Sequence, residues 1–480
     1  MREKILQRIL TMPQSSLQEI LKGKEERAER QQKIMQAEPQ GTLICFTLNI
    51  AGTVKNAPLF EKAFEEGKRR ILRQLRYDGS YPILQEEHDR ASGKELYILV
   101  EQEIAQVKRR MVEIEDGFEL GRLFDIDVMS QNCPKISRRD LGLPARKCLI
   151  CSQQAAACAR SQRHSAADLL EKTVELICDY LKKEFAGQVA QTACKALLYE
   201  VACAPKPGLV DRENSGSHRD MDCFTFIDSA CALFPYFSEC AGTGMELWED
   251  LPLMFARLRC LGKEAEDRMK RATGGINTHK GAVFSMGILC AATAAQAAKE
   301  KLNRQTRTSE QEWEKEISAL CAGICAEVLE DFAKINQKEK LSYGEQLFKK
   351  YGIKGIRQEA ANGFPDVFKV GLRCLKEETA KGRTLNDAGV TALLALLCSV
   401  QDSNIVARSD WDMLIWAQER AKELLAQGAT HAQIRDFNRE MEEKNISPGG
   451  CADLLALSYF LLFWEREERI GCPDITAQTI

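Results

Sequence analysis

In Phe124-Asp125-Ile126-Asp127-Val128 two carboxylates alternate with apolar residues. On a strand that spacing puts Asp125 and Asp127 on one face while Phe124, Ile126 and Val128 enter a core. Adjacent hard oxygens suit Mg²⁺, an ion that bridges polyphosphate oxygens and neutralises charge as pyrophosphate departs. Alone, the pair fits an exposed polar strand face equally well. Cys148, Cys151, Cys158 and His164 follow with the spacing C-x2-C-x6-C-x5-H. They can close a tetrahedral zinc site, or stand as reduced thiols packed beside a helix. Further on, Pro205-Lys206-Pro207-Gly208-Leu209-Val210-Asp211-Arg212 leads into Asn214-Ser215-Gly216-Ser217-His218-Arg219-Asp220-Met221-Asp222. The prolines stop a helix and the Gly and Asn positions permit a tight loop rich in carboxylates. In Thr273-Gly274-Gly275-Ile276-Asn277-Thr278-His279-Lys280-Gly281 a glycine loop opens a helix. Its backbone N–H groups, the helix dipole and Lys280 suit a triphosphate, though the spacing is not that of a Walker loop.

The elements that must position these groups divide the 480 residues in two. Thr42 to Ile50 is rich in β-formers, a helix is predicted from about Leu59 to Leu75, and Leu96 to Val100 reads as a second strand. The run Gly121 to Val128 completes an α/β N-terminal region. Beyond about residue 165, Ala, Leu, Glu and Lys recur at helical spacing and β-rich runs nearly vanish, so the C-terminal region is predicted to be all-α. The boundary is placed near 180, inside a helix over Asp168 to Phe185, giving domains 1–180 and 181–480. Residues 299–316 read as a solvated charged connector.

Lys and Arg number 67 against 70 Asp and Glu, a balance that argues against a nucleic-acid partner. The apolar run Leu455 to Trp464 is about half of the roughly 20 residues that cross a bilayer, so no membrane partner is expected. Nineteen cysteines without an apolar leader point to reduced thiols and a cytoplasmic location.

Residues 15 to 170 resemble the apo-citrate lyase phosphoribosyl-dephospho-CoA transferase family. The likeness rests on Glu29-Arg30-Gln31, Asn49-Ile50-Ala51-Gly52-Thr53-Val54-Lys55, Gly121 to Val128, and Ile136-Ser137-Arg138-Arg139 with Leu141-Gly142-Leu143-Pro144. Ala51 and Thr53 stand where the family has prolines. The resemblance implies a nucleotidyltransferase-like domain in which a serine of the citrate lyase acyl-carrier subunit attacks the α-phosphate of a triphosphoribosyl-dephospho-CoA. Asp125 and Asp127 would hold the metal, and Lys55, Arg122 and Arg139 would meet phosphate.

Residues 190 to 465 resemble triphosphoribosyl-dephospho-CoA synthase. Here the likeness adds Ser342-Tyr343-Gly344-Glu345, Tyr351 to Ala360, Gly363-Phe364-Pro365, Asn386-Asp387-Ala388, Asp402 to Ile405 and Ser447-Pro448-Gly449-Gly450-Cys451-Ala452-Asp453. Cys451 stands where the family has Ser, and Ser409-Asp410 where it has a Gly pair. The implied reaction moves the triphosphoribosyl unit of ATP to the 2′-hydroxyl of 3′-dephospho-CoA and releases adenine. Lys280, Arg212 and Lys206 are then expected at phosphate with the Gly274, Gly275 and Asn277 loop. Asp220, Asp222, Asp387 and Asp453 are expected at Mg²⁺ or at the cationic ribose carbon, and His218 and His279 compete as base.

Two rivals remain open on the residues alone. The first is an all-α metal-dependent hydrolase of ADP-ribose linkages or nucleotides; the second is a non-catalytic zinc-bearing assembly factor for the lyase. An HD-type phosphohydrolase is disfavoured, because His88-Asp89 is the sole His-Asp pair and His164 lies far along the chain.

Overall fold

The computed structural model describes residues 2–303, 309–333, 335, 341 and 343–470. Ser342, one of the residues carrying the synthase likeness, lies outside them. The chain divides into two compact units, the first ending at Leu181 and the second beginning at Lys182.

The first unit comprises α1 (Arg2–Leu10), α2 (Leu17–Ala37), β1 (Thr42–Leu48), α3 (Pro58–Tyr77), β2 (Leu84–Arg90), β3 (Gly93–Val100), α4 (Ile104–Gly117), β4 (Phe124–Met129) and α5 (Ala155–Arg160). Its sheet has the order β2-β3-β1-β4, with every neighbouring pair antiparallel. Strand β2 has no signature in the sequence: Leu84-Gln85-Glu86-Glu87-His88-Asp89-Arg90 lacks apolar alternation because neither face of this edge strand is fully buried. One sheet face, with Ile44, Phe46, Leu96, Ile98, Phe124, Ile126 and Val128, forms a core with Phe60, Phe64, Ile71, Val107 and Met111. Pro58 opens α3 with its fixed φ, and Leu59, Phe60, Ala63, Phe64, Gly67, Ile71 and Leu75 turn inward at helical spacing. Phe64 stacks on Phe46 at 4.9 Å between ring centroids, and burial of each such ring stabilises by about 1.5–3 kcal/mol. On the opposite face Leu43, Cys45, Tyr97, Leu99 and Met129 pack with Ile34 and Met35 of α2. A capping box between Ser16 and Glu19 starts that helix.

Helix α6 (Ala166–Ala202) contains the division between the units. The second unit continues with α7 (Cys223–Ala232), α8 (Phe234–Leu247), α9 (Leu251–Ala272), α10 (Lys280–Asn303), α11 (Glu310–Ile324), α12 (Glu330–Ala333), α13 (Tyr343–Tyr351), α14 (Ile356–Ala361), α15 (Arg373–Ala380), α16 (Leu385–Ser399), α17 (Ser403–Arg408), α18 (Trp411–Gln427), α19 (His431–Glu443) and α20 (Gly449–Ile470). Among its described residues none is in a strand. Most of the described residues of the expected connector at 299–316 are helical, since α10 runs to Asn303 and α11 starts at Glu310 behind a Ser309 cap. Helix α10 is long and apolar enough to cross a membrane by length and composition, more so than Leu455 to Trp464. Most of it is nevertheless buried inside this unit against α8, α9 and α11, as the central helix of a helical core.

Candidate functional sites

Antiparallel register assembles the first site. Thr47 pairs with Asp125 across β1 and β4, and Cys45 with Asp127; on the other side Thr47 pairs with Glu95 and Cys45 with Tyr97. Directly opposed residues share a face, so the two aspartates end a polar row that begins at Glu95 and Tyr97. Ile126, between them, turns its backbone outward, where Lys108 donates to its carbonyl at 2.7 Å and Glu115 accepts its N–H at 3.2 Å. Helix α4 thereby satisfies the free edge of β4 and holds the aspartate segment. Farther along the row, the fully buried Glu95 accepts from Arg27 at 2.8 Å and from the Tyr97 hydroxyl at 2.6 Å, which ties α2 to the sheet.

Charge at the aspartates is unbalanced. Burial, and then the neighbouring charge of Asp127, raise Asp125 above the ordinary carboxylate range. Lys135 Nζ lies 2.6 Å from Asp127, and Arg146 3.9 Å from Asp125. Three guanidiniums gather nearby. Arg146 also donates to the carbonyls of Gly121, Arg122 and Phe124. Arg138 pairs with Glu115 at 2.5 Å and Asp116 at 2.9 Å, and Arg122 is held below its usual value by burial and by the charge of Arg146. Arg139, the residue singled out in the sequence, is exposed in a short 3₁₀ turn, while its neighbour Arg138 enters the network. Nothing in the spacing flags Arg146, which lies two residues before Cys148.

A cleft of about 220 Å³ opens beside Thr47, the register partner of Asp125, lined also by Lys55, Asn56, Asp89, Ser92 and Lys94. Burial and the charge of Lys24 hold the Lys55 ammonium below its usual value, a cation short of counter-charge. Lys94 is compensated by Glu61 at 2.5 Å, and Pro58, the first residue of α3, also lines the cleft.

The four groups of the C-x2-C-x6-C-x5-H spacing converge, each ligand atom lying within 4.8 Å of the others.

In the second unit the sequence-identified residues fall into two groups. Asp222 caps α7 and accepts from Thr225 N at 2.9 Å. Asp387 lies in the first turn of α16, 3.1 Å from His431. Arg212 donates to Ala202 O at 2.6 Å and Asn386 Oδ1 at 2.8 Å, and Lys280, more than half exposed, lies 3.3 Å from Glu266. Gly274 and Gly275 both adopt the left-handed backbone that glycine alone accepts easily, and the loop with Asn277 leads to the start of α10. Asp220 acts on His218 through its charge.

The remaining residues converge more deeply. Lys206 is fully buried against Glu200, the last turn of α6 having delivered that carboxylate. Asp453 lies at the N-terminus of α10: a Cβ on Gly281 would meet its Oδ2 at 1.9 Å, and Ala282 N–H donates to it. Burial and the charges of Glu200 and Asp402 push Asp453 well above the ordinary range. Asp402, itself raised by burial, accepts from Cys451 N at 2.9 Å and Asn404 N at 2.8 Å. Glu200, Asp402 and Asp453 are thus one acidic centre built from the ends of α6, α17 and α20. Only their places inside or beside the motif-bearing segments mark Glu200 and Asp402 in the sequence.

The two histidines differ. Arg408 donates to His218 Nε2 at 3.1 Å, so that nitrogen is unprotonated, with Ser447 Oγ 2.9 Å away. His279 is buried beside Phe226, and burial together with the charge of Lys206 lowers it to about 3. Thr278 Oγ1 donates to Ser229 Oγ at 2.7 Å, leaving the Ser229 hydroxyl hydrogen for His279 Nδ1, also at 2.7 Å. The proton of this neutral ring then sits on Nε2, which is buried and has no hydrogen-bond partner among the described residues. An orphaned buried donor costs free energy unless a bound group accepts from it.

Comparison with known proteins matches each unit separately. The family model of apo-citrate lyase phosphoribosyl-dephospho-CoA transferase, CitX, matches residues 15–180, and that of ATP:dephospho-CoA triphosphoribosyl transferase, CitG, matches residues 186–471. The chain is 33% identical to protein CitXG of Leuconostoc mesenteroides subsp. cremoris over 470 residues, covering 93% of this chain and 96% of that one. It belongs to the CitXG family. Protein CitXG of Haemophilus influenzae is also 33% identical, over 463 residues with the same coverage. A probable 2-(5''-triphosphoribosyl)-3'-dephosphocoenzyme-A synthase of Streptococcus equi subsp. equi is 38% identical over 297 residues, its whole length and 60% of this chain. Membership makes the chain a bifunctional enzyme for the citrate lyase prosthetic group, with a phosphoribosyl-dephospho-CoA transferase followed by a triphosphoribosyl-dephospho-CoA synthase. Both rivals, a hydrolase and a non-catalytic assembly factor, give way to that assignment. The resemblance seen in the sequence is the relationship found.

Proposed function

We propose that the CitG unit binds ATP and 3′-dephospho-CoA at the acidic centre and that the CitX unit spends its product at the β4 aspartates. In the CitG reaction the 2′-hydroxyl oxygen of dephospho-CoA forms a bond to the ribose carbon of ATP, the bond from that carbon to adenine breaks, and adenine leaves with a proton. A cationic ribose carbon in the transition state calls for carboxylates; Asp453, Asp402 and Glu200 fit that need, and Lys206 offsets some of their charge. His279 Nε2–H serves as a neutral donor to substrate and His218 positions the loop through Arg408. The Gly274-Gly275 loop, Asn277 and Lys280 meet the triphosphate, with Asp220, Asp222 and Asp387 at the rim.

In the CitX unit, which we take to be nucleotidyltransferase-like, the carrier serine oxygen attacks the α-phosphate and pyrophosphate leaves. Asp125 and Asp127 fit Mg²⁺, because two adjacent carboxylates, one raised by burial and by the charge of the other, form a donor set that a divalent cation relieves. When bound, Mg²⁺ would neutralise charge on the departing pyrophosphate. Arg122, Arg138 and Lys55 orient the phosphates, with Arg139 at the exposed edge. Cys148, Cys151, Cys158 and His164 have the donor chemistry of zinc. Every cysteine among the described residues is a free thiol, in keeping with a cytoplasmic enzyme whose partner is the citrate lyase acyl-carrier subunit.

The carrying observation is the pair Asp125 and Asp127 flanked by guanidiniums on one strand edge. The test mixes protein, ATP, Mg²⁺, dephospho-CoA and apo carrier, following adenine by chromatography and the carrier by mass. Adenine release with a carrier mass gain is expected; a carrier mass that stays constant while adenine accumulates overturns the transfer assignment.

A further inference from the structure

Beyond the two reacting centres, the segment 146–164 has an unexplained architecture. Lys147 bridges Gln154 in antiparallel fashion, Cys148 N–H donates to Gln153 O at 2.7 Å, and Ala155 N–H to Arg146 O at 2.8 Å, so residues 146–155 close a tight hairpin. At its tip the Cys148 sulfur accepts the N–H groups of Ile150 and Cys151. Cys151 Sγ lies 3.4 Å from Cys158 Sγ and 3.3 Å from His164 Nε2. Cys158 comes from α5, and Arg163 N–H, just before His164, donates back to Cys158 O at 3.2 Å. Two thiolates on a tetrahedral zinc sit roughly 3.8 Å apart, given Zn–S near 2.3 Å. Three sulfurs and one imidazole nitrogen within 4.8 Å of one another match that size and that donor set.

We propose that Cys148, Cys151, Cys158 and His164 bind one zinc ion, and that this closed site braces the transferase centre through Arg146. With four protein ligands the site has no open position, so its role is structural. The mechanical link is the hairpin. Arg146 lies at its base, paired with Ala155, spans the carbonyls of Gly121, Arg122 and Phe124, and presents Nη1 3.9 Å from Asp125. Folding energy supplied by the metal fixes a guanidinium that a free loop would leave disordered. Arg146 is accordingly a positioning residue for the strand carrying the aspartates. The second half of this proposal rests on the transferase reading above; the metal site itself does not.

The test uses the full chain, expressed with zinc and, separately, with cobalt. About one zinc per chain is expected by elemental analysis, with visible cobalt bands of a tetrahedral thiolate site. Cys151→Ser and His164→Ala lose the metal and lower carrier loading at least about tenfold, while adenine release by the CitG unit stays intact and far-UV circular dichroism of the full chain keeps the wild-type helix signal. His164→Cys keeps zinc and loading, and Arg146→Gln keeps zinc but lowers loading. Wild-type protein without stoichiometric zinc, or with iron in its place, overturns the site. Metal-free variants that load carrier normally, or an Arg146→Gln protein that does, overturn the brace. If the wild type held zinc but loaded no carrier, the transferase reading would fail and the metal site would stand.

Discussion

The two units build acidic centres by opposite means. In the CitX unit a single strand carries both carboxylates, two residues apart, and sheet register sets everything around them. In the CitG unit Glu200, Asp402 and Asp453 come from three helix ends separated by as much as half the chain, and close backbone approach brings them together. A strand-borne site tolerates change in its surroundings because its spacing is covalent. A site made of helix ends depends on packing, so a single methylene in the wrong place disturbs it.

That contrast breaks most sharply at Asp125. Asp125→Ala is expected to lower carrier loading by about 10²–10³ and leave adenine release unchanged; loss of both activities in a folded protein would mean that the centres are not separate. Gly281→Ala comes next. The added Cβ meets the Asp453 carboxylate, so adenine release should fall by at least about tenfold with loading of externally supplied product intact; wild-type release would show that the helix-end centre is more pliant than its packing implies. Arg122→Ala should raise the KM for the triphosphoribosyl substrate about tenfold with a smaller effect on kcat, and a pure kcat effect would place this residue at the leaving group instead.

The smallest effect concerns stability. Burial and the neighbouring carboxyl of Asp366 raise Glu359 to about 9. Its unfolded value is near 4.5, so the folded state holds a proton that the unfolded state has lost, and stability declines as pH rises through that interval. Glu359→Gln removes the penalty. Its Tm should exceed the wild type's at pH 8 and match it near pH 4.5; equal shifts at both pH values would show that Glu359 is ionised in the fold.

How much is legible in the sequence follows the same division. Asp125 and Asp127 can be read directly, because period-two alternation is local. Helical spacing likewise reveals α3 and the all-α character of the second unit. Strand β2 escapes because an edge strand with half-exposed faces carries charge on both. Arg138 and Arg146 escape because a cation's partner is set by tertiary geometry: Arg138 and Arg139 are indistinguishable in sequence, yet only the first meets Glu115 and Asp116. Among the second unit's carboxylates, Asp222 and Asp453 look alike as motif residues. The former is a helix cap and the latter a half-buried acid set against Glu200 and Asp402, a difference that depends on which helix end lies opposite.

The lone hydrogen on His279 Nε2 has a consequence for how adenine release responds to acidity. A ring that gains its second proton only near pH 3 carries no charge around neutral pH. Any inflection of the rate between pH 5 and 8 therefore reports a different group. Exchange of this ring for a permanently uncharged donor such as Gln would leave the shape of that profile alone and alter only its height.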